Sequence, residues 1–370
     1  MLGAARRPPL EFAPTVAERT PILALTLAET RAALVELGAA PVHAERLRRR
    51  LLAGEDPAAA PPASSPMPRG LMAALEKRFD WLSLVSARRE SAADGSEKHL
   101  LRLHDGELVE AVRLPGSAAP SACLSSQVGC AVGCTFCASG LDGVRRNLAG
   151  HEILEQVALL RRHGPVRRVV FMGAGEPTHN LAALRFALPI LRDEAELGPR
   201  HVLVSTVGPP AAIDRLAEMG LKFTLAVSLH AADRATRAEL VPSQPQVEPA
   251  ALLAAADRFH AWTRRSYQVE YVLLGEVNDA RADARALAGL LRGRRAHLSL
   301  IGWNPVAGQP FRAPTQARVR AFLAVLHEEG ISCQLRRTVG AEANAACGQL
   351  RAGALAAAAA GAAEGPPLPV

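Results

Sequence analysis

From Ser121 to Arg336 short apolar runs and amphipathic helical segments take turns along the chain, and no other feature restricts its fold as much. After an opening run at Ala122–Val128, strand-like runs fall at Arg167–Met172, His201–Ser205, Phe223–Ser228, Val269–Leu274, His297–Ile301 and Ser332–Arg336. Helical spacing marks Ile153–Leu160, Leu181–Leu191 and Val319–Leu326 between them, the last opened by Pro314-Thr315 and stopped by Gly330. Strands alternating with helices pair in parallel, because each crossover helix returns the chain to the same end of the sheet. The pattern predicts an α/β fold with enough units to curl into a full or partial TIM-like barrel.

Upstream the pattern changes. Residues 1–53 read as a small N-terminal helical accessory domain, with helical spacing over Leu25–Leu37 and a basic-faced helix over Pro41–Leu52. Residues 54–98 read as a linker and connecting helix, Gly54–Gly70 being rich in Pro, Ala and Ser. The runs Leu100–Leu103 and Leu108–Leu114 flank Asp105-Gly106, a hairpin signal that opens the core at 99–350. The Ala/Gly/Pro-rich segment 351–370 is expected to be disordered.

In such barrels the chemistry gathers at the carboxyl ends of the strands, and the candidate polar groups fall there. The loop CAVGCTFC follows the opening run and spaces Cys130, Cys134 and Cys137 as C-x3-C-x2-C, with Phe136 just before the last thiol. Three thiolates on one loop hold three corners of a cubane iron–sulfur cluster and leave the fourth iron open to a small chelating molecule. A structural zinc site wants four closed ligands, usually as two separated pairs, which this spacing does not offer. Gly173-Ala174-Gly175-Glu176 follows the next strand; its small residues let backbone approach a ligand, and Glu176 can accept from an ammonium. Ser205, Ser228 with Leu229 and His230, and Asn304 end successive strands; singly each reads as a capping or turn residue. Together they offer donors and acceptors for a ribose and a carboxylate.

Three further residues stand apart. Cys347 is too distant in sequence to be presumed a fourth cluster ligand, Cys123 lies beside the opening strand, and Cys333 reads as a small core residue. Strand alternation favours a solvent-facing side chain for Glu110.

Lys+Arg exceed Asp+Glu, 43 against 36, for a formal charge of +7. Such a balance suits a polyanion, but with only Lys77, Lys98 and Lys222 as lysines the arginine excess partly reflects composition bias. The apolar runs Ile22–Leu27 and Ala356–Ala360 are too short for a secretory or membrane segment. Thiols that must stay reduced point to the cytoplasm.

The motifs SSQVGCAVGCTFCASG, RRNL, FMGAGEP, VSTVG, SLHA, IGWNP and AACGQL, in this order between about Val109 and Leu350, resemble the RlmN/Cfr family of radical SAM adenine methyltransferases. The resemblance implies an α/β fold, a partial (β/α)6 TIM-like barrel of the radical SAM type, with one 4Fe-4S cluster on Cys130, Cys134 and Cys137. It also implies S-adenosyl-L-methionine, two per turnover, bound by Gly175, Glu176, Ser205, Ser228, Leu229, His230 and Asn304. Cys347 would carry a methyl group, Glu110 would be the proton acceptor and Cys123 the resolving thiol. One adenosylmethionine would methylate Cys347; a second, cleaved at the cluster, would give a radical that activates the S-methyl group for addition to the base. The substrate implied is an adenine in RNA, at C2 in 23S rRNA with tRNA as a further target, or at C8 as in the Cfr branch. A flavodoxin or ferredoxin would donate electrons to a monomer. Ala174 stands where the family usually has Met, and Val339, Ala341 and Asn344 where it has Arg, Asp and Asp. A non-catalytic, metal-stabilised RNA-binding protein would explain the cysteine loop and the charge, but not Cys347, Cys123 and Glu110.

Overall fold

The computed structural model describes residues 19–56, 59, 67–68, 70–116, 119–336 and 338–350. The expected tail 351–370 and most of the Pro/Ala-rich linker lie outside them. The short strands β1 (Thr20–Pro21) and β2 (Phe79–Asp80) pair in parallel on either side of helices α1 (Leu27–Glu36), α2 (His43–Leu52) and α3 (Leu71–Arg78). Helix α1 starts where a sequence rule says it should, with Thr26 and Glu29 capping each other's backbone N–H groups. These helices share one apolar core with the rest of the chain: Ile22, Leu34, Leu47 and Leu51 pack in the cluster that holds Leu154, Leu159 and Val169.

The hairpin strands β3 (Val85–Ser91), β4 (Glu97–Arg102) and β5 (Leu108–Leu114) run antiparallel and lead into β6 (Ser121–Cys123). A separate antiparallel ladder, β7 (Gln127–Gly129) with β8 (Val144–Asn147), closes the base of the cysteine loop. Then come β9 (Arg168–Phe171), β10 (Val202–Thr206), β11 (Thr224–Ser228), β12 (Tyr267–Leu273), β13 (Ala296–Gly302) and β14 (Cys333–Arg336). From β6 through β14 every neighbouring pair in the main sheet is parallel. Helices α4 (Gly150–Arg161), α5 (Leu181–Asp193), α6 (Pro210–Glu218), α7 (Arg234–Leu240) with α8 (Pro249–Thr263), α9 (Arg281–Leu291) and α10 (Gln316–Glu328) make the crossovers. The ten-stranded sheet keeps two free edges, β14 and β3, among the described residues, so the barrel is partial and open.

Three expectations change. The opening run Ala122–Val128 is two strands in different sheets, because Ser125 leaves the ladder: Gln156 takes both its N–H and its C=O. Glu110 does not face solvent; it is 2% exposed. Both faces of β5 are covered, Val109 and Ala111 packing into the main core and Val112 into a second cluster with Cys123, Ala343 and Ala345. Lys98 meets the buried carboxylate at 3.4 Å. Cys333 sits on edge strand β14 and is only half-buried, its Sγ 3.8 Å from His327 Nε2.

Candidate active site

At the carboxyl ends of β9 to β13 a cavity of about 870 Å³, counted with its open mouth, collects most of the residues singled out in the sequence. Cys130, Cys134 and Cys137 line one side, and Gly175, Glu176, Ser205, Ser228, His230 and Asn304 the others; Cys347 lines it as well. Leu229 does not reach the cavity. Its side chain is fully buried in the core and its N–H donates to Glu270 O, which leaves only its carbonyl for a ligand.

The cysteine loop is bounded by the β7–β8 ladder, with Cys130 N–H donating to Gly143 O. Its thiols pack among Val132, Phe136, Val207, Leu240 and Trp303. Burial pushes Cys130 up to about 12 and raises Cys134 and Cys137 above the ordinary thiol value. An apolar surround disfavours bare thiolates and suits thiolates neutralised by bound iron, which is the chemistry of a cubane ligand set. Among the described residues no three His, Cys, Asp or Glu side chains form a compact site for a single metal ion.

The GAGEP turn is built by close backbone approach. A Cβ on Gly175, where φ is +103°, would lie 2.7 Å from Gln127 N, Cβ and Cγ; one on Gly173 would lie 2.7 Å from Leu124 C and O. Only glycine fits at either place. Ala174 contributes through its backbone, its O accepting from Ser126 and Gln127 N–H and its N–H donating to Ser125 Oγ. The turn delivers Glu176, 4% exposed. Its Oε1 accepts from Thr178 N–H (3.0 Å) and Oγ1 (2.8 Å), and its Oε2 from Val207 N–H (3.0 Å). Burial raises its carboxyl above the ordinary value while these donors oppose the rise. A desolvated, oriented carboxylate of this kind can pair with a cation.

Ser205 and Ser228 hydroxyls lie 3.1 Å apart across neighbouring strands. His230, at φ +62°, accepts from Val272 N–H through Nδ1, and its ring meets Phe136 edge-on at 4.9 Å. Burial drops its pKa to about 3, so it is a neutral imidazole at physiological pH.

Cys347 is fastened to the mouth of the barrel. Asn304 Nδ2 donates to its carbonyl at 3.0 Å, Ala138 N–H to Gly348 O at 2.7 Å, Ser139 Oγ to Leu350 O at 2.8 Å, and Gln349 Nε2 to Pro305 O at 2.9 Å. Its side chain opens on the first cavity and also on an adjoining one of about 720 Å³ lined by Cys123, Met172 and Arg336. Both thiols are free. Burial pushes Cys123 up to about 12, with Cys347 adding to the rise and Arg336 opposing it. Depth within the molecule also raises Cys347, although its thiol is exposed to the cavities; Arg336 again opposes. Glu110 lines neither cavity.

Sequence reasoning missed Glu270, 2% exposed on β12 and facing the first cavity, and Arg336 on β14, which meets it at 3.5 Å. The signal for Glu270 was a lone carboxylate inside the apolar run YQVEYVL, where a parallel strand covered on both faces has no solvent side.

The model of the radical SAM superfamily matches residues 124–283. A Rhodopirellula baltica protein named "Probable dual-specificity RNA methyltransferase RlmN" is 45% identical over 324 residues, covering 86% of this chain and 87% of its own. A "Probable RNA methyltransferase" of Thiobacillus denitrificans is 40% identical over 334 residues, 90% of this chain and 91% of its own. The crystal structure of a radical SAM methyltransferase from Sphaerobacter thermophilus superposes with a TM-score of 0.81 at 37% identity, over 90% of this chain and 99% of that one.

Proposed function

This chain belongs to the RlmN-type family of radical SAM methyltransferases, and on that premise we propose that it methylates C2 of an adenosine in 23S rRNA, and in tRNA, through S-methylated Cys347. The observation that carries the reading is the position of Cys347, which opens both on the cavity of the cysteine loop and on the cavity of Cys123. The words "dual-specificity" in the relatives' names support two RNA substrates.

Cys130, Cys134 and Cys137 would hold the 4Fe-4S cluster, which supplies the electron that cleaves the sulfonium. The rest falls to side chains of this chain. Glu176 binds the cofactor's ammonium; Ser205, Ser228 and His230 supply donors and acceptors for its ribose and carboxylate. Asn304 holds the Cys347 backbone so that Sγ faces the cofactor. A thiol with a raised pKa is a poor nucleophile until deprotonated, and the sulfonium charge together with Arg336 favours the thiolate. The methyl passes from cofactor sulfur to Cys347 Sγ by displacement. After the methyl-derived carbon has joined the base, Cys123 gives up its proton and attacks Cys347 Sγ; the C–S electron pair leaves with the carbon, which takes up a proton to become the methyl group, and an external thiol reductant restores both residues from the disulfide. Glu110 is assigned the ring proton. Since it lines neither cavity, it takes that proton through an intervening group or once the Lys98 pair parts.

Two cofactors are consumed per turnover in this reading, with a flavodoxin or ferredoxin as electron donor, and the protein works as a cytoplasmic monomer. Among the described residues no helix is long and apolar enough to cross a membrane. Intact-mass analysis after exposure to adenosylmethionine tests the carrier: one added methyl on wild type and none on Cys347→Ala is expected, and a methyl elsewhere refutes it. Mapping modified nucleotides in RNA from a deletion strain against its parent tests the target; a loss at C8 in place of C2 overturns the carbon.

A further inference from the structure

Helix α7 carries a charge that the reaction above does not use. Arg237 is fully buried and, with Arg48, is the largest side chain so enclosed among the described residues. Its Nη2 donates to Val207 O at 2.6 Å and reaches Gln244 Oε1 at 3.4 Å, yet Nε and Nη1 have no hydrogen-bond partner. No carboxylate pairs with it among the described residues. A guanidinium held only to support Val207 would need one nitrogen; leaving the others dry and unpartnered costs free energy without return.

The surroundings show where that charge acts. The carboxyl end of α7 is stitched to the cysteine loop, Thr135 N–H donating to Leu240 O and Thr135 Oγ1 to Glu239 O. Leu240, Val241 and Val207 pack in the same cluster as Cys130, Cys134 and Cys137. The anchoring carbonyl belongs to Val207, whose N–H holds Glu176 Oε2. One buried cation is thus linked through its helix to the cysteine loop and through Val207 to the carboxylate that would bind the cofactor's ammonium.

We infer that Arg237 is a positioning residue for the iron–sulfur cluster, its guanidinium, anchored on Val207 in the apolar cluster that packs the three thiols, serving as a buried counter-charge that favours the reduced form. This rests on the reading that Cys130, Cys134 and Cys137 hold a 4Fe-4S cluster. A cubane core bound by three thiolates is already anionic and becomes more so on taking an electron. In an apolar pocket a fixed positive charge therefore raises the reduction potential, and hydrogen bonds to cluster or cysteine sulfur act in the same direction.

The test uses full-length protein reconstituted anaerobically with iron and sulfide, comparing wild type, Arg237→Gln and Arg237→Lys. Iron content is measured first, then the reduced fraction is followed by electron paramagnetic resonance against a series of dithionite-poised potentials. Arg237→Gln is expected to lower the reduced-to-oxidised ratio at a fixed potential at least tenfold, about 59 mV for one electron, with Arg237→Lys recovering most of it. A loaded Arg237→Gln that titrates within twofold of wild type overturns the inference, as does Arg237→Lys falling as far as Arg237→Gln. If Arg237→Gln takes up no iron, Arg237→Lys decides. Normal loading with a ratio within threefold of wild type supports the counter-charge, and equal failure to load overturns it. Wild type that takes up no iron would instead remove the cluster reading beneath it, a distinct result.

Discussion

Glu176→Gln separates two jobs of one carboxylate. In the native site Oε1 accepts twice from Thr178 and Oε2 once from Val207 N–H. An amide has one acceptor. Its oxygen best keeps the two Thr178 donors, which turns its NH2 toward Val207 N–H, donor against donor. A buried N–H left unsatisfied costs about 1–3 kcal/mol, and this appears in the stability of the free protein as a lowered melting temperature. Cofactor affinity changes for another reason. A charge-assisted bond to the ammonium becomes a neutral one, a loss of about 1–2 kcal/mol, or roughly 5- to 30-fold in Kd. Equilibrium dialysis of adenosylmethionine against reconstituted protein measures this directly. The pH profile supplies an internal check. The raised carboxyl of wild-type Glu176 protonates above the ordinary glutamate range, and a protonated carboxyl cannot pair with an ammonium. Wild-type affinity should therefore weaken as pH falls through that raised value, while E176Q stays flat. An E176Q affinity within twofold of wild type, with the same pH profile, would show that this carboxylate does not face the cofactor's amino group.

Gly175→Ala should lose at least tenfold in cofactor affinity while keeping its circular dichroism, since the new Cβ has Gln127 at 2.7 Å; normal binding would disprove the tight-turn account. Cys123→Ala should accumulate a covalent protein–RNA adduct visible on denaturing gels, and clean turnover would remove Cys123 from the mechanism. Buried Glu155 has its carboxyl pushed up to about 8, so the folded state holds a proton that the unfolded state releases near 4.5. Stability should then fall as pH rises from about 4.5 to 8, by up to about 1.4 kcal/mol per unit. Glu155→Gln should flatten that slope in thermal melts, and an unchanged slope would place its origin elsewhere.

The parallel strands and the loops at their ends were legible because each is written locally, as an apolar run followed by Gly, Ser, Asn or Cys. Strand β3 was not. Its sequence VSARRES is almost wholly exposed along an edge, so nothing apolar marks it. The break at Ser125 escaped because Gln156, a helix away, causes it. Alternation along β5 predicted two unlike faces, yet it carries no information about a second cover, and the segment holding Ala343 and Ala345 comes from far down the chain. Glu270, Arg336 and Arg237 share this limit. Their meaning lies in neighbours brought by topology, whereas Cys130, Cys134 and Cys137 need only one another.

The backbone tethers around Cys347 have a kinetic corollary. With the AACGQL segment tied down at Cys347 and on its C-terminal side, the sulfur atom sits at a doorway between two chambers and can address either by rotating about its own side-chain bond. If Cys347 carries the methyl group as proposed, its sulfur can be loaded and relieved with this stretch of main chain at rest, on the fast timescale of a rotamer hop.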